Sequence, residues 1–546
     1  MQYSRFQPVG IEPGCADGTD AARAIDPTKG VLVSSRRSAR TIRSSVVAVL
    51  AGAALLLAGC AGAGGDGGST AEGETLTVIS AADAAPNQLF RNSYWFTPVL
   101  EPLFQQDKDT GEPVPVLADE WAQSDDLTAI SVTVKSGITF HDGRELTVDD
   151  VVFSYQQALL PQNNSGAASV AANVSAIETT GDNEVTITFK SPTSNMWDLL
   201  YFTPIVDPST FDGIADGSSV NGTGPYTWAS WEPGKELVLE KYADYREADR
   251  AHYESIDVVV LADATAQQSA MRSGRGQLGV RFSSQDASVL AQSGGFEAQQ
   301  VAVATLGMGL NTSVAPFDNP AVRQAVGYAI DRERLIEQAS AGAGEPISLW
   351  WGQQWPGWDA AQNDYYSYDP DKARQLVKDA GAVGAEIPLI FPTSALFQSF
   401  YEIIADGLSD AGFVPSAHPI ENNEAVDRLL RGDLGTGYIL IDSSVAISSP
   451  STVMDSTPMF ITGEKSPQKF EDPEYDRLKQ QVQATSGEEQ IAVMRELNEY
   501  LLKTSFNLAV VNFPDLAVVG DTVDASGKGV FTVAGNLTGL DIRPAD

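Results

Sequence analysis

Residues 137–154 read GITFHDGRELTVDDVVFS, a tight turn followed by the first residues of a helix. The HDG triplet at 141–143 predicts the turn, because the aspartate can bond its own backbone and the glycine can adopt a conformation that a side chain disfavours. Thr147 and Asp150 have the spacing of a capping box, which indicates the start of a helix. The stretch therefore gives the histidine and aspartate a structural role rather than a metal-binding one.

Strands and helices alternate on both sides of this stretch. Ile130–Val134 and Glu184–Lys190 alternate apolar and polar residues with the period of a half-buried strand. Val258–Leu261 is a continuous apolar run, which is typical of a buried strand. Asn319–Gln338 has the pattern of one helix, with Pro320 suited to its first turn. The alternation predicts an α/β protein.

Length and composition exclude several classes of function. A chain of 546 residues is too long for one core and predicts about two to four domains. Its net charge of −37, from 35 Lys and Arg against 72 Asp and Glu, would repel nucleic acid and an anionic membrane surface. Two cysteines and three histidines cannot form a four-cysteine zinc site or several disulfides. We expect no nucleic-acid partner, no metal and no cofactor.

The first 60 residues are typical of an export signal. A basic segment at 36–43 precedes thirteen apolar or small residues, Val46–Ala58. At about 1.5 Å per residue this segment is too short for the ~30 Å hydrocarbon core of a membrane. Residues 1–30 lie upstream of a signal of ordinary length and are left out of the fold prediction, with Val31 as an alternative start.

The end of this signal, Leu57–Cys60, resembles the lipobox of bacterial lipoproteins. The resemblance implies cleavage before Cys60 and attachment of diacylglycerol to it, and two acyl chains suffice for stable anchoring. Residues 61–74 are rich in Gly, Ser and Ala and would form a flexible tether. The alternative is an ordinary signal peptide with an incidental cysteine. We predict a cell-surface protein, lipid-anchored to the outer face of the cytoplasmic membrane.

Sequence motifs for enzyme chemistry are absent or out of context. The chain has no G-x-x-x-x-G-K-[ST], no H-E-x-x-H and no G-x-S-x-G. G-x-G-x-x-G occurs at 62–67, in the tether, and at 274–279, where it follows a helix instead of a strand. We therefore predict a binding protein and no enzyme. A secreted hydrolase with a carboxylate pair is the alternative from another class, and a signalling or chaperone-like surface protein is a third.

Five segments in the same order resemble motifs of one family, the extracytoplasmic solute-binding proteins of family 5, which bind oligopeptides, dipeptides or nickel and serve ABC importers. They are Glu101–Phe104 with Pro115–Trp121, Gly137–Ser154, Gly222–Tyr226, Asn311–Arg332 and Tyr368–Gly381. Each motif alone is weak evidence, whereas five in order across residues 101–381 are strong evidence.

The resemblance implies a two-lobed clamshell like that of periplasmic binding proteins, with an extra domain inserted in the N-terminal lobe. Lobe I would comprise 75–105, 220–300 and 506–546, the inserted domain 106–219, and lobe II 301–505. The lobes would close around a solute and present it to the permease of an ABC importer. We expect the protein to act as a monomer.

Four of the nine tryptophans lie within nine residues of a loop rich in Gly and Pro: Trp350, Trp351, Trp355 and Trp358. A surface loop has little structural need for so many rings. One hypothesis is that some of them line the cleft and stack on the ligand. The alternative is a small core beneath the loop.

Gly437–Pro450 resembles the strand with which peptide binders of the family hold the peptide backbone and its N-terminal amine. Tyr438, Asp442 and Ser443 are the candidate ligand-binding residues there. Ser443 stands where the family has Trp and Ala446 where it has Asp, so Asp442 is the candidate partner for an amine. This departure weakens the case for ordinary di- or tripeptides.

Asn87 and Gln88 occupy the place of the first loop that faces the cleft in the family. They complete the list of candidate ligand-binding residues. A peptide-like solute is the expected ligand, and the tryptophans keep an oligosaccharide as the rival. Nickel is disfavoured because the three histidines are scattered.

Overall fold

The computed structural model describes residues 75–91, 94–108, 110–163 and 165–545. The predicted signal peptide, Cys60 and the tether lie outside the described residues. The strands, β1 to β19 in chain order, are Thr75–Ser80, Phe104–Gln106, Pro113–Pro115, Ala118–Gln123, Ala129–Val134, Val174–Gly181, Glu184–Phe189, Tyr226–Glu232, Glu236–Lys241, Ser255–Val260, Leu278–Phe282, Phe296–Leu310, Glu345–Pro346, Glu386–Pro392, Val414–Ile420, Gly437–Asp442, Asn507–Gly520, Val523–Asp524 and Arg543–Pro544.

The helices follow the same numbering along the chain. α1 to α16 are Val148–Ala158, Ala168–Asn173, Met196–Phe202, Phe211–Ile214, Ala264–Arg272, Ser284–Gln292, Pro320–Ala329, Arg332–Ala339, Ala360–Asn363, Pro370–Asp379, Ala395–Ala411, Asn422–Leu430, Ser444–Ile447, Pro450–Ser456, Pro473–Ala484 and Gly487–Thr504. Short 3-10 helices cover Pro86–Gln88, Pro161–Asn163 and Ala248–Arg250. The α/β prediction is confirmed.

The main sheet has the strand order β15-β14-β16-β12-β17-β11-β1-β10-β9-β8. We call the β11-β1-β10-β9-β8 side, with its helices, the first lobe and the β15-β14-β16 side the second lobe. β12 and β17 are long antiparallel partners that belong to both. β12 pairs with β16 from Thr305 to Leu310, and β17 pairs with β11 through Leu516 to Val519. The two lobes are therefore joined by one pair of crossing strands.

Each lobe has its own hydrophobic core. The first lobe packs residues of β1 and β10 such as Val78 and Val258, and the second lobe packs residues of β12 and β14 such as Leu306 and Leu389. A third core lies within residues 103–205 and covers the antiparallel sheet β4-β5-β7-β6. We call residues 103–205 the insert. The domain boundaries given above stay predictions.

The stretch at 137–154 folds as its sequence predicts. Gly143 has φ of 86° and donates its N–H to the Phe140 carbonyl at 2.9 Å, which closes the turn. At the start of α1, Asp150 Oδ2 accepts from the Thr147 N–H at 2.9 Å. Ile130 and Ile187 pair across β5 and β7 and are buried beneath α1. The predicted turn, capping box and both strands are confirmed.

The single helix predicted over Asn319–Gln338 is wrong, because the chain breaks into α7 and α8 at Ile330 and Asp331. Ile330 has an extended backbone, and Asp331 caps α8 by accepting the Arg334 N–H. Arg332 is buried, and its guanidinium donates to the carbonyls of Gly327, Ile330, Ile347, Tyr366 and Ala509. The buried cation thus satisfies backbone acceptors that the broken helix and its neighbours leave unpaired.

Candidate ligand-binding site

The main cleft lies where β12 and β17 pass from one lobe to the other. Its volume is about 580 Å³, within the usual range for sites that enclose small solutes. The first lobe contributes Arg91 and residues 281–285, and the second lobe contributes residues 338–340 and the first turns of α11. Residues 302–304 of β12 and 513–515 of β17 lie at the crossing. Both lobes therefore form the walls of one cleft.

Three charged side chains line this cleft: Arg91, Arg281 and Asp515. Arg281 Nη1 donates to Asp515 Oδ2 at 2.8 Å, and the guanidinium carbon of Arg281 lies 4.3 Å from the centre of the Tyr94 ring. Burial raises the pKa of Asp515, and the positive charge of Arg281 opposes that rise. Burial also raises the pKa of Tyr94, so its ring packs under Arg281 as a neutral phenol.

The backbone presents Arg281 in an unusual conformation. Its φ is 62°, in the left-handed region, which costs a residue with a side chain roughly 1–3 kcal/mol. The pairing of β11 with β17 shifts register between Gly279 and Phe282, around the same residue. A bulge re-aims a side chain, and here the side chain that it carries lines the cleft.

Trp350 and Trp351 are core residues of the second lobe. Their rings lie 5.1 and 5.8 Å from the ring of Phe460. Trp350 Nε1 donates to the Asn507 carbonyl at 3.3 Å, and Trp351 Nε1 donates to Asn498 Oδ1 at 2.7 Å. The two rings also contribute to a second cavity of about 290 Å³.

Trp355 and Trp358 are half-buried and lie on different cavities. Trp358 lines the second cavity with Trp350 and Trp351, whereas Trp355 lines a third cavity of about 200 Å³ between the insert and the second lobe. The four tryptophans are not among the residues that line the main cleft. Val303 lines both the main cleft and the second cavity, so the two adjoin. That some of these rings stack on ligand stays a prediction.

Tyr438, Asp442 and Ser443 lie on or just after β16, and the structure separates them. Tyr438 is buried, and its hydroxyl accepts from Gln468 Nε2 at 2.5 Å. Ile441 and Ser443 line the main cleft and Asp442 does not, because neighbouring residues of a strand face opposite sides. Ser443 is thus the residue of the predicted ligand-binding set that lines the main cleft.

Asp442 ends the strand instead of continuing it toward Pro450. Its Oδ1 accepts from the Ser444 N–H at 2.7 Å and from the Ser444 hydroxyl at 2.5 Å, and α13 begins at Ser444. Burial raises the pKa of Asp442. The carboxylate therefore serves a local turn, and its predicted role toward a ligand amine stays a prediction.

Asn87 and Gln88 are exposed on the 3-10 helix Pro86–Gln88. They are not among the residues that line the main cleft, which Arg91 reaches one turn later. That Asn87 and Gln88 contact the ligand stays a prediction.

The charged residues of the cleft were not among the residues predicted from the sequence. Arg281 is at the carboxyl end of β11, just before α6, and such strand-to-helix junctions are where α/β proteins bind ligands. That rule could have drawn attention to residues 281–285. Nothing local marks Asp515, which meets Arg281 from 234 positions away in the sequence.

The insert contacts the second lobe next to the third cavity. Asp198 is buried, and its Oδ2 accepts from the Ser449 N–H at 3.0 Å and the Ser449 hydroxyl at 2.8 Å. Ser194 donates its N–H to the Gln483 carbonyl at 2.9 Å. Burial raises the pKa of Asp198 to about 6, although its hydrogen bonds favour the charged form.

The described residues offer neither a cluster of metal ligands nor a helix suited to span a membrane. Within 75–91, 94–108, 110–163 and 165–545, no group of three or more His, Cys, Asp and Glu side chains could hold a metal ion. In the same ranges, no helix combines the length and the apolar character needed to cross a membrane.

Known proteins are similar to this chain in sequence and in fold. The Glutathione-binding protein GsiB of Escherichia coli (strain K12) is 28% identical over 356 residues, which cover 63% of this chain and 67% of that protein. The PBP AgaA from A. tumefaciens R10, solved with agropinic acid, has a TM-score of 0.71 at 21% identity and covers 87% of this chain and 99% of its own. The oligopeptide-binding protein AppA from Bacillus subtilis, solved with a nonapeptide, has a TM-score of 0.68 at 19% identity, with coverages of 87% and 99%.

The structural matches confirm the two-lobed fold of periplasmic binding proteins that the resemblance implied. At the level of sequence, the family described as "Bacterial extracellular solute-binding proteins, family 5 Middle" matches residues 112–456, more than half of the chain. That range includes most of the insert, β12 and most of the second lobe. Because the family matches more than half of the sequence, the chain belongs to the bacterial extracellular solute-binding proteins of family 5.

Proposed function

We propose that this protein is the substrate-binding component of an ABC importer and that it captures a peptide-like solute in the main cleft. The observation that carries the proposal is the cleft itself, whose walls come from both lobes at the crossing of β12 and β17. A solute there touches both lobes at once, so closure adds contacts that the open form lacks. Those extra contacts are what let a ligand favour the closed state.

The choice of a peptide-like solute rests on the relatives and on the lining. GsiB is a glutathione-binding protein and AppA was solved with a nonapeptide. The cleft combines apolar residues such as Phe400 and Phe513 with polar ones such as Gln338, Ser399 and Ser443. A micromolar affinity, about −8 kcal/mol, is within reach of such a site.

Titration of the purified protein with a library of short peptides and oligosaccharides tests this proposal. The protein is first unfolded and refolded to remove any copurified solute, which mass spectrometry identifies. We expect one class of peptide to bind and to be recovered chemically intact. If only oligosaccharides bind, the ligand is an oligosaccharide and not a peptide. Turnover of a bound compound would indicate a hydrolase instead.

Lobe closure has its own measurement. Small-angle X-ray scattering should show a smaller radius of gyration when the identified ligand is added, because the lobes move together around the crossing strands. A radius of gyration that is identical with and without saturating ligand would contradict closure while leaving binding intact.

We also propose that Cys60 carries a lipid that holds the protein on the outer face of the cytoplasmic membrane, beside its permease. The support is the lipobox-like Leu57–Cys60 and the Gly-rich residues 61–74. In cells fed radiolabelled palmitate, the protein should become labelled, and Cys60→Ala should abolish the label. An unlabelled protein that is released into the medium would indicate an ordinary signal peptide.

A further inference from the structure

Basic residues outnumber acidic residues along the main cleft, whereas acidic residues outnumber basic residues in the whole chain. The chain has 72 acidic residues against 35 Lys and Arg. Among the lining residues the bases are Arg91 and Arg281 and the acid is Asp515. In a strongly acidic protein, a cleft with more bases than acids creates a local positive potential. Low-dielectric walls focus such a potential on whatever enters.

Arg281 is fixed in the cleft wall by its contacts with Asp515 and Tyr94. Nη1 of Arg281 donates to Asp515 Oδ2 at 2.8 Å, and the guanidinium carbon lies 4.3 Å from the centre of the Tyr94 ring. These contacts fix the direction of the fork, and the side chain is still 37% exposed. A guanidinium held in this way has further N–H groups for a planar anion such as a carboxylate.

The strained backbone of Arg281 supports a role for this residue in ligand binding. An arginine at a φ of 62° is strained, whereas glycine would occupy the same conformation without strain. Strain of this kind collects at ligand sites, where it pre-organises a side chain.

Arg91 supplies the second positive charge of the cleft. Its side chain is exposed, and no hydrogen bond or ion pair joins it to another residue of the described part of the chain. The polar residues Ser283, Ser284 and Gln285 lie in the same wall as Arg281. Arg91 and Arg281 thus both line the main cleft from the first lobe.

We propose that Arg91 and Arg281 form a carboxylate-binding subsite on the first-lobe wall of the main cleft, so that the solute carries a free carboxylate there. The inference rests on the proposed function, because it assigns the ligand class of the same cleft. Asp515 is a positioning residue for Arg281. Loss of a charge-assisted hydrogen bond to a ligand weakens binding roughly 10- to 100-fold.

The test uses calorimetric titration of four sets of probes against the intact protein: short peptides with a free C-terminus, the same peptides as C-terminal amides, non-peptide carboxylic acids, and neutral oligosaccharides. We expect binding in the carboxylate-bearing sets, and affinity at least about 10-fold weaker for each amide. Arg91→Gln and Arg281→Gln should each weaken binding of the best carboxylate roughly 10- to 100-fold.

Two controls separate recognition from folding. Arg272→Gln removes an exposed arginine of the same lobe that does not line the cleft, and it should leave affinity unchanged. Arg281→Lys keeps the charge and loses the planar fork, so it should bind more weakly than the wild type and more tightly than Arg281→Gln. Arg91→Gln breaks no side-chain bond within the described residues, so we expect it to leave the fold intact.

The outcomes distinguish failure of the carboxylate subsite from failure of the proposed function. Amides or neutral sugars that bind as tightly as free acids, or Arg91→Gln and Arg281→Gln variants with wild-type affinity, would overturn the carboxylate subsite and leave solute capture in place. Binding in none of the four sets would contradict the proposed function, and the subsite with it.

Discussion

At the scale of single residues, two glycines of β12 decide where the aromatic rings of the second lobe lie. A Cβ on Gly307 would be 2.1 Å from a ring carbon of Trp350, and one on Gly309 would be 2.2 Å from a ring carbon of Tyr438. Real Cβ atoms do not approach a ring so closely. The glycines therefore let Trp350 and Tyr438 pack closely against the crossing strand as core residues.

Gly307→Ala should destabilise the protein by about 1–3 kcal/mol, because the Trp350 ring has no room to shift in a packed core. Urea unfolding followed by tryptophan fluorescence measures the change. Gly166→Ala is the matched control, since a Cβ there would meet one backbone oxygen at 3.8 Å. Equal stability of Gly307→Ala and wild type would mean that the ring is not fixed against the strand.

At the scale of elements, the junction of α7 and α8 shows how a buried cation organises the backbone. Arg332 donates to five carbonyls that belong to the broken helix, to the segment between β13 and α10, and to β17. Burial without a carboxylate partner lowers its pKa to about 10. The side chain therefore joins several elements of the second lobe through backbone acceptors.

Arg332→Met should lower the free energy of unfolding by roughly 3 kcal/mol or more, because several buried carbonyls lose their donor. Arg334→Met is the control: the side chain of that arginine is 39% exposed and forms an ion pair with Asp406, so the change should cost about 1 kcal/mol or less. Urea titration of both variants compares them. Similar losses for the two variants would contradict the organising role of Arg332.

At the scale of the whole molecule, the insert and the second lobe meet through a buried carboxylate. Asp198 lies between them with a pKa raised to about 6, and it accepts two hydrogen bonds from Ser449. Its pKa in the unfolded chain is near 3.8, the ordinary value for an aspartate. The folded protein therefore holds the proton more tightly than the unfolded chain does.

The sign of the pH effect follows from that difference. The contribution of Asp198 to stability is fully present below about pH 4 and is lost as the pH rises through about 6, by about 2–3 kcal/mol. Asp198→Asn keeps an acceptor for Ser449 and removes the titration. Relative to wild type, the variant should therefore gain stability between pH 4 and 6 and stay more stable above pH 6.

Urea unfolding of both proteins at several pH values from 4 to 7 checks this prediction. Asp212→Asn is the matched control, because Asp212 is an exposed aspartate of the nearby helix α4. It should leave the pH dependence of the wild type in place. A difference between Asp198→Asn and wild type that does not vary with pH would rule out titration of this carboxylate at the contact.

The sequence by itself determined the local elements and the family. The strands around Ile130 and Ile187 are indicated by the alternation of apolar and polar residues within each strand. The turn at 141–143 and the capping box of Thr147 and Asp150 depend on neighbours a few residues away. Such contacts form with the same geometry in any fold, so their pattern is readable from the chain. The motifs in order across 101–381 then identified the family and, through it, the two-lobed architecture.

Only the tertiary structure decided the break at Ile330 and the charges of the cleft. The break is stabilised by carbonyls as distant as Ala509, and Arg281 is oriented by a partner 234 positions away. Periodicity continues across Ile330 because the apolar face continues, although the backbone does not. A side chain's role in the cleft depends on which distant strands cross beside it, and burial and long-range pairing are properties of the folded chain alone.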